Sequence, residues 1–209
     1  MKRGSITGLG LLTSALLAYG QGQVIFVNTS STLITTNAAP GAAASGPISD
    51  PAGSYYFALF VAPPGTVDTS TFTFAGAYGT NTTLGRFNGD QPSISGYPPG
   101  STVALLVRGW SATIGTDLIA VSKYLSNPTF TAHYGESQIA NLILGSGTLP
   151  VPSLFGTFQG TGLNQIPGFN LDMYSIPEPS SCVLAIFASG ALLVFRSRVV
   201  ERALLVGRL

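Results

Sequence analysis

"STVALLVRGWSA", residues 101–112, places Ala104, Leu106, Arg108 and Trp110 on one side of an extended chain and Val103, Leu105 and Val107 on the other. Side chains of a strand alternate between two faces, so a run that is apolar at both phases reads as a strand with material packed above and below it. "SYYFALFVA" at 54–62 has the same character and is expected to be central in its sheet. "TFTFAGAY" at 71–78 alternates Thr with Phe and predicts a half-buried strand with Phe72 and Phe74 inward. Between these runs lie "APPGT" at 62–66 and "YPPGST" at 97–102, where Pro presets one turn dihedral and Gly supplies the unusual one.

Working outward, "VIFVN" at 24–28 predicts a further strand, and weaker ones are expected at 82–87, 128–134, 137–144, 153–159 and 169–174. "DLIAVSKYL" at 117–125 fits one short helix. The stretch "AAPGAAASGPISDPAG" at 38–53 offers few large apolar groups to bury and is expected to be a loop. Seven to nine short strands with turn signals between them, about as many as a two-sheet fold needs, predict an all-β domain over 21–175. The expected form is a β-sandwich, immunoglobulin-like or fibronectin-like, with a jelly roll as the alternative.

Only 8% of the 209 residues are charged, 45% are hydrophobic, and Gly (26) and Pro (14) are abundant, which disfavours a helical bundle. The formal net charge of +1 conceals a segregation. Lys2 and Arg3 stand at one end and Arg196, Arg198, Arg202 and Arg208 at the other. Between them Arg86, Arg108 and Lys123 face Asp50, Asp68, Asp90, Asp117, Glu136 and Asp172. A slightly acidic interior lacks the dense basic face that displaces phosphate counterions, so no nucleic-acid partner is expected. The single cysteine, Cys182, excludes an intrachain disulfide.

The two ends read as addresses. "MKRGSITGLGLLTSALLAYGQG", residues 1–22, has a basic start, an apolar centre, and small residues Ala18 and Gly20 in the spacing that signal peptidase requires. The signal peptide is expected to span 1–20 with the cut after Gly20, Gly22 being the second choice, and the chain is expected to be exported. At the other end "SIPEPSSCVLAIFASGALLVFRSR", residues 175–198, sets Pro177-Glu178-Pro179 before an uncharged run that closes on Arg196 and Arg198. Ser181 to Phe195 would make about 22 Å of helix at ~1.5 Å per residue, short of the ~30 Å hydrocarbon thickness. Snorkelling arginines and local thinning make up such a difference. The prolines would set the start of this transmembrane helix, 181–195, and the arginines would orient it with its end on the cytoplasmic side.

This arrangement resembles the PEP-CTERM sorting signal of exported proteins from Gram-negative bacteria, over residues 176–198; Ile176 and Ser180 also suit its "(V/I)PEP(S/T)" form. The tail family is also catalogued as an ice-binding-protein C-terminal domain, a label that describes the tail alone. The resemblance implies recognition of Pro177, Glu178 and Pro179 by an exosortase-like processing enzyme. It also implies anchoring in the inner membrane, then release or transfer to the cell surface or extracellular matrix. Residues 199–209, "VVERALLVGRL", run past the usual end of such tails and form a basic cytoplasmic segment able to lie on the inner membrane surface. The body is similar to short PEP-CTERM proteins that begin "QGxVxFxN" and carry "PPGxxVxxxVRxW", here "QGQVIFVN" at 21–28 and "PPGSTVALLVRGW" at 98–110, with "LPVPS" at 149–153 as the Pro-rich linker. That group implies architecture and no reaction.

Chemistry is sparse. His133 is the sole histidine, so several-histidine metal sites are excluded and any catalytic triad would have to use it. The acids are scattered singly, giving no pattern for a glycosidase pair or a calcium loop. No cofactor, metal or catalytic residue is expected, and the chain reads as a non-enzymatic exported protein. A carbohydrate-binding or adhesive module is the alternative, with exopolysaccharide as partner and a platform built on Arg108 and Trp110; a secreted hydrolase using His133 or two acids comes after it. For Trp110, burial between layers is the competing expectation. Asn28-Thr29-Ser30 and Asn81-Thr82-Thr83 match the glycosylation acceptor pattern.

Overall fold

The computed structural model describes residues 20–174. In chain order the strands are β1 (Gly22–Gln23), β2 (Thr35–Asn37), β3 (Ala44–Pro47), β4 (Tyr55–Ala62), β5 (Thr73–Asn81), β6 (Phe87–Asn88), β7 (Ser93–Ile94) and β8 (Thr102–Ser111). One helix, α1 (Leu118–Ser126), precedes β9 (Ala132–Glu136), β10 (Ala140–Ile143), β11 (Gln159–Gly160), β12 (Leu163–Asn164) and β13 (Asn170–Tyr174). The described chain is all-β apart from α1: a curled eleven-stranded sheet and a two-stranded ribbon of β1 with β7.

β8 is the spine. Along one edge it pairs antiparallel with β4 from Tyr55↔Ser111 to Ala62↔Ala104. Along the other it serves two partners in turn, β9 at Arg108, Gly109 and Trp110, then β10 from Leu105 to Thr102. Ser137 makes the switch: its N–H donates to the Val107 carbonyl at 2.8 Å, and its Oγ accepts the Val107 N–H at 3.0 Å. A side chain thus stands in for a ladder carbonyl where the sheet divides, leaving no buried donor unpaired. From that point β10 leads to β12 and β11, while β9 leads to β13, β2 and β3. β13 and β2 run parallel, and β3 closes that branch.

Both faces of the β4–β8 pair are covered, as their two-phase apolar pattern requires. Phe57, Leu59, Val61, Val103, Leu105 and Val107 enter the larger core, which Val24, Phe26, Phe87 and Phe155 complete. The Phe57 and Phe87 rings stack at 4.3 Å, with Phe26 and Phe155 edge-on to Phe87 at 5.0 and 5.3 Å. Gly109 makes room for this packing, because a Cβ there would stand 2.8 Å from the Phe57 ring and 2.9 Å from Leu171. On the opposite face Ala58, Phe60, Ala104, Leu106 and Trp110 pack beneath Val121 and Tyr124 of α1. The helix begins where expected, with Asp117 accepting the Ala120 N–H at 2.8 Å as its N-cap.

Four expectations are corrected. Phe72 is buried but Phe74 is 38% exposed. The two aromatics do share a side of the sheet, yet it is the side of the smaller core, whose cover does not extend over β5. The residues of β5 that reach the larger core are Ala75 and Ala77. Within the expected loop at 38–53, β3 pairs with β2, because exposed small residues still offer backbone hydrogen bonds. Val24, Phe26 and Asn28 alternate inward as a strand would, but residues 24–28 are joined to the fold by isolated bridges from Ile25 and Val27. The strands expected at 82–87 and 153–159 shrink to β6 and to bridges at Ser153 and Phe155 beside β11.

Candidate functional site

Trp110 is fully buried. Its indole N–H donates to the Gly115 carbonyl at 2.8 Å, tying β8 to the turn that launches α1, and Tyr56 and Tyr78 lie against it at 6.2 Å. The platform built on Trp110 is thereby corrected: the ring presents no face to a ligand, because α1 and the neighbouring aromatics cover it. Arg108, the other member, does reach a surface.

That surface is a groove of about 380 Å³ between α1 and the sheet. Antiparallel register sets Arg108 of β8 directly across from Glu136 of β9, and Nε donates to Glu136 Oε1 at 2.9 Å. Two residues back along β9, on the same face, Tyr134 donates its hydroxyl to the same Oε1 at 2.8 Å. The guanidinium carbon sits 4.3 Å from the centre of the Phe60 ring, a cation–π contact in a partly dried site. Nη2 donates to the Thr69 carbonyl at 2.9 Å. That carbonyl is held by a short 3-10 turn, Thr69–Thr71, which Asp68 caps by accepting the Ser70 N–H and hydroxyl. Those two bonds hold the Asp68 carboxyl below its usual range. Leu118 and Leu125 of α1 form the apolar wall opposite.

The electrostatics follow from this burial. The Tyr134 hydroxyl is pushed well above its ordinary value, chiefly by burial, then by its hydrogen bond to Glu136 and that carboxylate's charge, with Arg108 opposing. It therefore stays protonated as a fixed donor. Among the described residues no fully buried side-chain nitrogen or oxygen lacks a partner, so Arg108 Nη1, which makes no protein hydrogen bond, is reached by solvent. The same holds for Glu136 Oε2. The groove thus offers open cationic donors and an anionic acceptor side by side, with side-chain exposures of 21% for Arg108 and 30% for Glu136.

The other sequence candidates separate. His133 donates from Nε2 to the Asn37 carbonyl at 3.2 Å, and its backbone N–H takes the Ser111 hydroxyl as acceptor at 3.0 Å. The ring reaches past β13 to tie β9 to β2, and its hydrogen bond goes to a backbone carbonyl rather than to a hydroxyl. Both glycosylation-pattern asparagines are buried. Asn28 donates to the Thr32 and Gly85 carbonyls and accepts from Phe87 N–H, each at 2.8 Å. Asn81 accepts the Tyr55 N–H at 2.9 Å and donates to the Asp50 and Pro51 carbonyls. Their amides are structural staples with no nitrogen to spare for a sugar. Gly20 is exposed, and two residues on Gly22 is already paired in β1. Ala18, the sorting residues Pro177, Glu178 and Pro179, and the arginines Arg196 and Arg198 lie outside the described residues, as do the expected signal and transmembrane helices.

No protein-family model, curated protein or solved structure matches the chain. The groove is accordingly read from its own chemistry. Phe60, Tyr134 and Glu136 were not singled out in the sequence. Tyr134 and Glu136 stand at i and i+2 and so share a strand face, but which strand they would face depended on a register that passes across α1.

Proposed function

We propose that this chain is a non-enzymatic exported protein, sorted through its C-terminal tail and displayed at the cell surface or in the extracellular polymer matrix. The observation that carries the reading is the order of features along the sequence: a basic-then-apolar leader, an all-β body, the Pro177-Glu178-Pro179 triplet, an apolar run and two arginines. In this reading signal peptidase removes 1–20, an exosortase-like enzyme recognises the triplet, and the helix at 181–195 holds the substrate in the inner membrane until processing. The body supports it by being firmly closed at its far end. Asp172 of β13 accepts from Asn37 at 2.8 Å, and the Met173 N–H is taken up by the same asparagine. A cut in the tail beyond β13 leaves these contacts in place.

The curled sheet is read as a β-sandwich in form, immunoglobulin-like or fibronectin-like, with a jelly roll as the alternative. Support comes from the larger core, which is closed by β4 and β8 on one side and by Val24, Phe26 and Phe155 on the other. A carbohydrate-binding role is favoured as the second reading by the Arg108–Glu136 groove.

The test is intact mass of the protein from membrane and extracellular fractions, with and without the exosortase, for the native chain and for one with Pro177, Glu178 and Pro179 replaced by alanine. Truncation near 177 that needs both enzyme and triplet is the expected result. A mass ending at Leu209 under every condition overturns the sorting step.

A further inference from the structure

We infer that the groove between α1 and the sheet binds neutral polysaccharide, one hexose ring seated on Arg108 and Glu136 and the next along the exposed rings of Phe74 and Tyr78. The inference rests on the display reading only for the source of the polymer, the matrix around the cell.

Four observations carry it. The first is the paired chemistry. A sugar hydroxyl both donates and accepts, and neighbouring hydroxyls on a ring present the two roles side by side. The open guanidinium hydrogens of Arg108 and the free Oε2 of Glu136 match that pair, and both groups are already oriented, by Thr69 on one side and Tyr134 on the other. Little ordering cost remains at binding.

The second is charge. The two ionised groups lining the groove cancel, so it holds no excess positive field for a uronate or sulfate. A neutral hexose fits that balance better than an acidic one.

The third is the wall. Leu118 and Leu125 oppose the polar pair, giving the C–H face of a pyranose an apolar surface, and the volume of about 380 Å³ leaves room for one ring with some water.

The fourth is continuity. Phe74 lies 5.9 Å from Phe60, and Tyr78 lies 4.7 Å from Phe74. Both are about two-fifths exposed, 38% and 40%. Large aromatics left open in a row beside a polar groove form a ledge on which successive rings of a polymer can lie, which favours a chain over a single sugar.

The experiment is affinity electrophoresis of the full chain in mild detergent through gels containing dextran, mannan or galactan, with alginate as the acidic counter-probe. At least one neutral polymer should retard the protein, and alginate should not do so more strongly. Arg108→Gln should weaken the retardation at least tenfold. Ser122→Trp, at an exposed helix position on the groove, should do the same while leaving the core untouched. Phe74→Ala with Tyr78→Ala should weaken binding of the polymer more than competition by a free monosaccharide. The inference falls if no neutral polymer retards the native protein, if alginate alone does, or if Ser122→Trp binds as the native chain does. None of these results touches the alanine-triplet test of sorting, so the two readings fail separately.

Discussion

Asn28 Oδ1 accepts the backbone N–H of Phe87 at 2.8 Å, fifty-nine positions along the chain and inside the larger core. The contact fixes β6, and with it the ring of Phe87 that stacks on Phe57. An asparagine that matches a glycan acceptor pattern is here an internal brace.

Replacing Asn28 by alanine strands the Phe87 N–H in a dry interior, and the Thr32 carbonyl loses its donor as well. At ~1–3 kcal/mol for each buried group left unpaired, a loss of about 2–4 kcal/mol is expected. Asn81→Ala should behave alike, because it strands the Tyr55 N–H at the start of β4. Urea unfolding measures both. Produced in a glycosylating host, the folded native protein should show no glycan mass at either asparagine, and a stable glycoform at Asn28 would contradict the brace.

Ser137 offers a second test, at the point where the sheet divides. Ser137→Ala removes the oxygen that takes the Val107 N–H while leaving the Ser137 backbone bond in place. The expected cost is ~1–3 kcal/mol. Hydrogen exchange should localise it: the Val107 amide should exchange faster, while amides of β4 facing the other edge of β8 keep their protection. Uniform acceleration across β4 and β8 would mean that the branch point is not a local device.

These braces mark the limit of what residue patterns convey. The two-phase apolar run of 101–112 foretells a covered strand because alternation is a local property, and β8 obeys it at every position from Val103 to Val107. Asn28 also follows its local rule, since it extends the inward series Val24, Phe26, and that phase was the available signal of its burial. What alternation cannot say is how far the covering layer extends. Phe74 shares its side of the sheet with Phe72 and Phe60, but α1 stops short of it. Between Ala58↔Tyr78 and Phe60↔Phe74 the β5 strand carries two extra residues, with Gly76 at φ 84°, so it bulges there while Phe74 and Tyr78 keep the same face. The Arg108–Glu136 pair is a matter of register across the intervening helix, which no local period encodes.

Alkaline pH gives the last prediction. The Tyr55 hydroxyl is pushed up to about 12, first by burial and then by the charge of Asp50, to which it donates at 3.2 Å; that of Tyr134 is raised further by burial and Glu136. For a neutral acid whose folded value lies above its unfolded one, the folded state holds its proton longer. Stability is then fully present below about pH 10 and is lost as pH climbs toward the folded value. Burial raises the Tyr124 hydroxyl as well, and each of the three tyrosines should steepen the loss by up to ~1.4 kcal/mol per pH unit above about 10 until it begins to ionise in place. Urea titrations across that window should show a flat plateau below about 9.5 and then this decline. Tyr134→Phe should lower the slope by up to ~1.4 kcal/mol per pH unit, because the unfolded chain then has one fewer proton to release. A slope unchanged by that substitution would place the linkage in groups other than the Tyr134 hydroxyl.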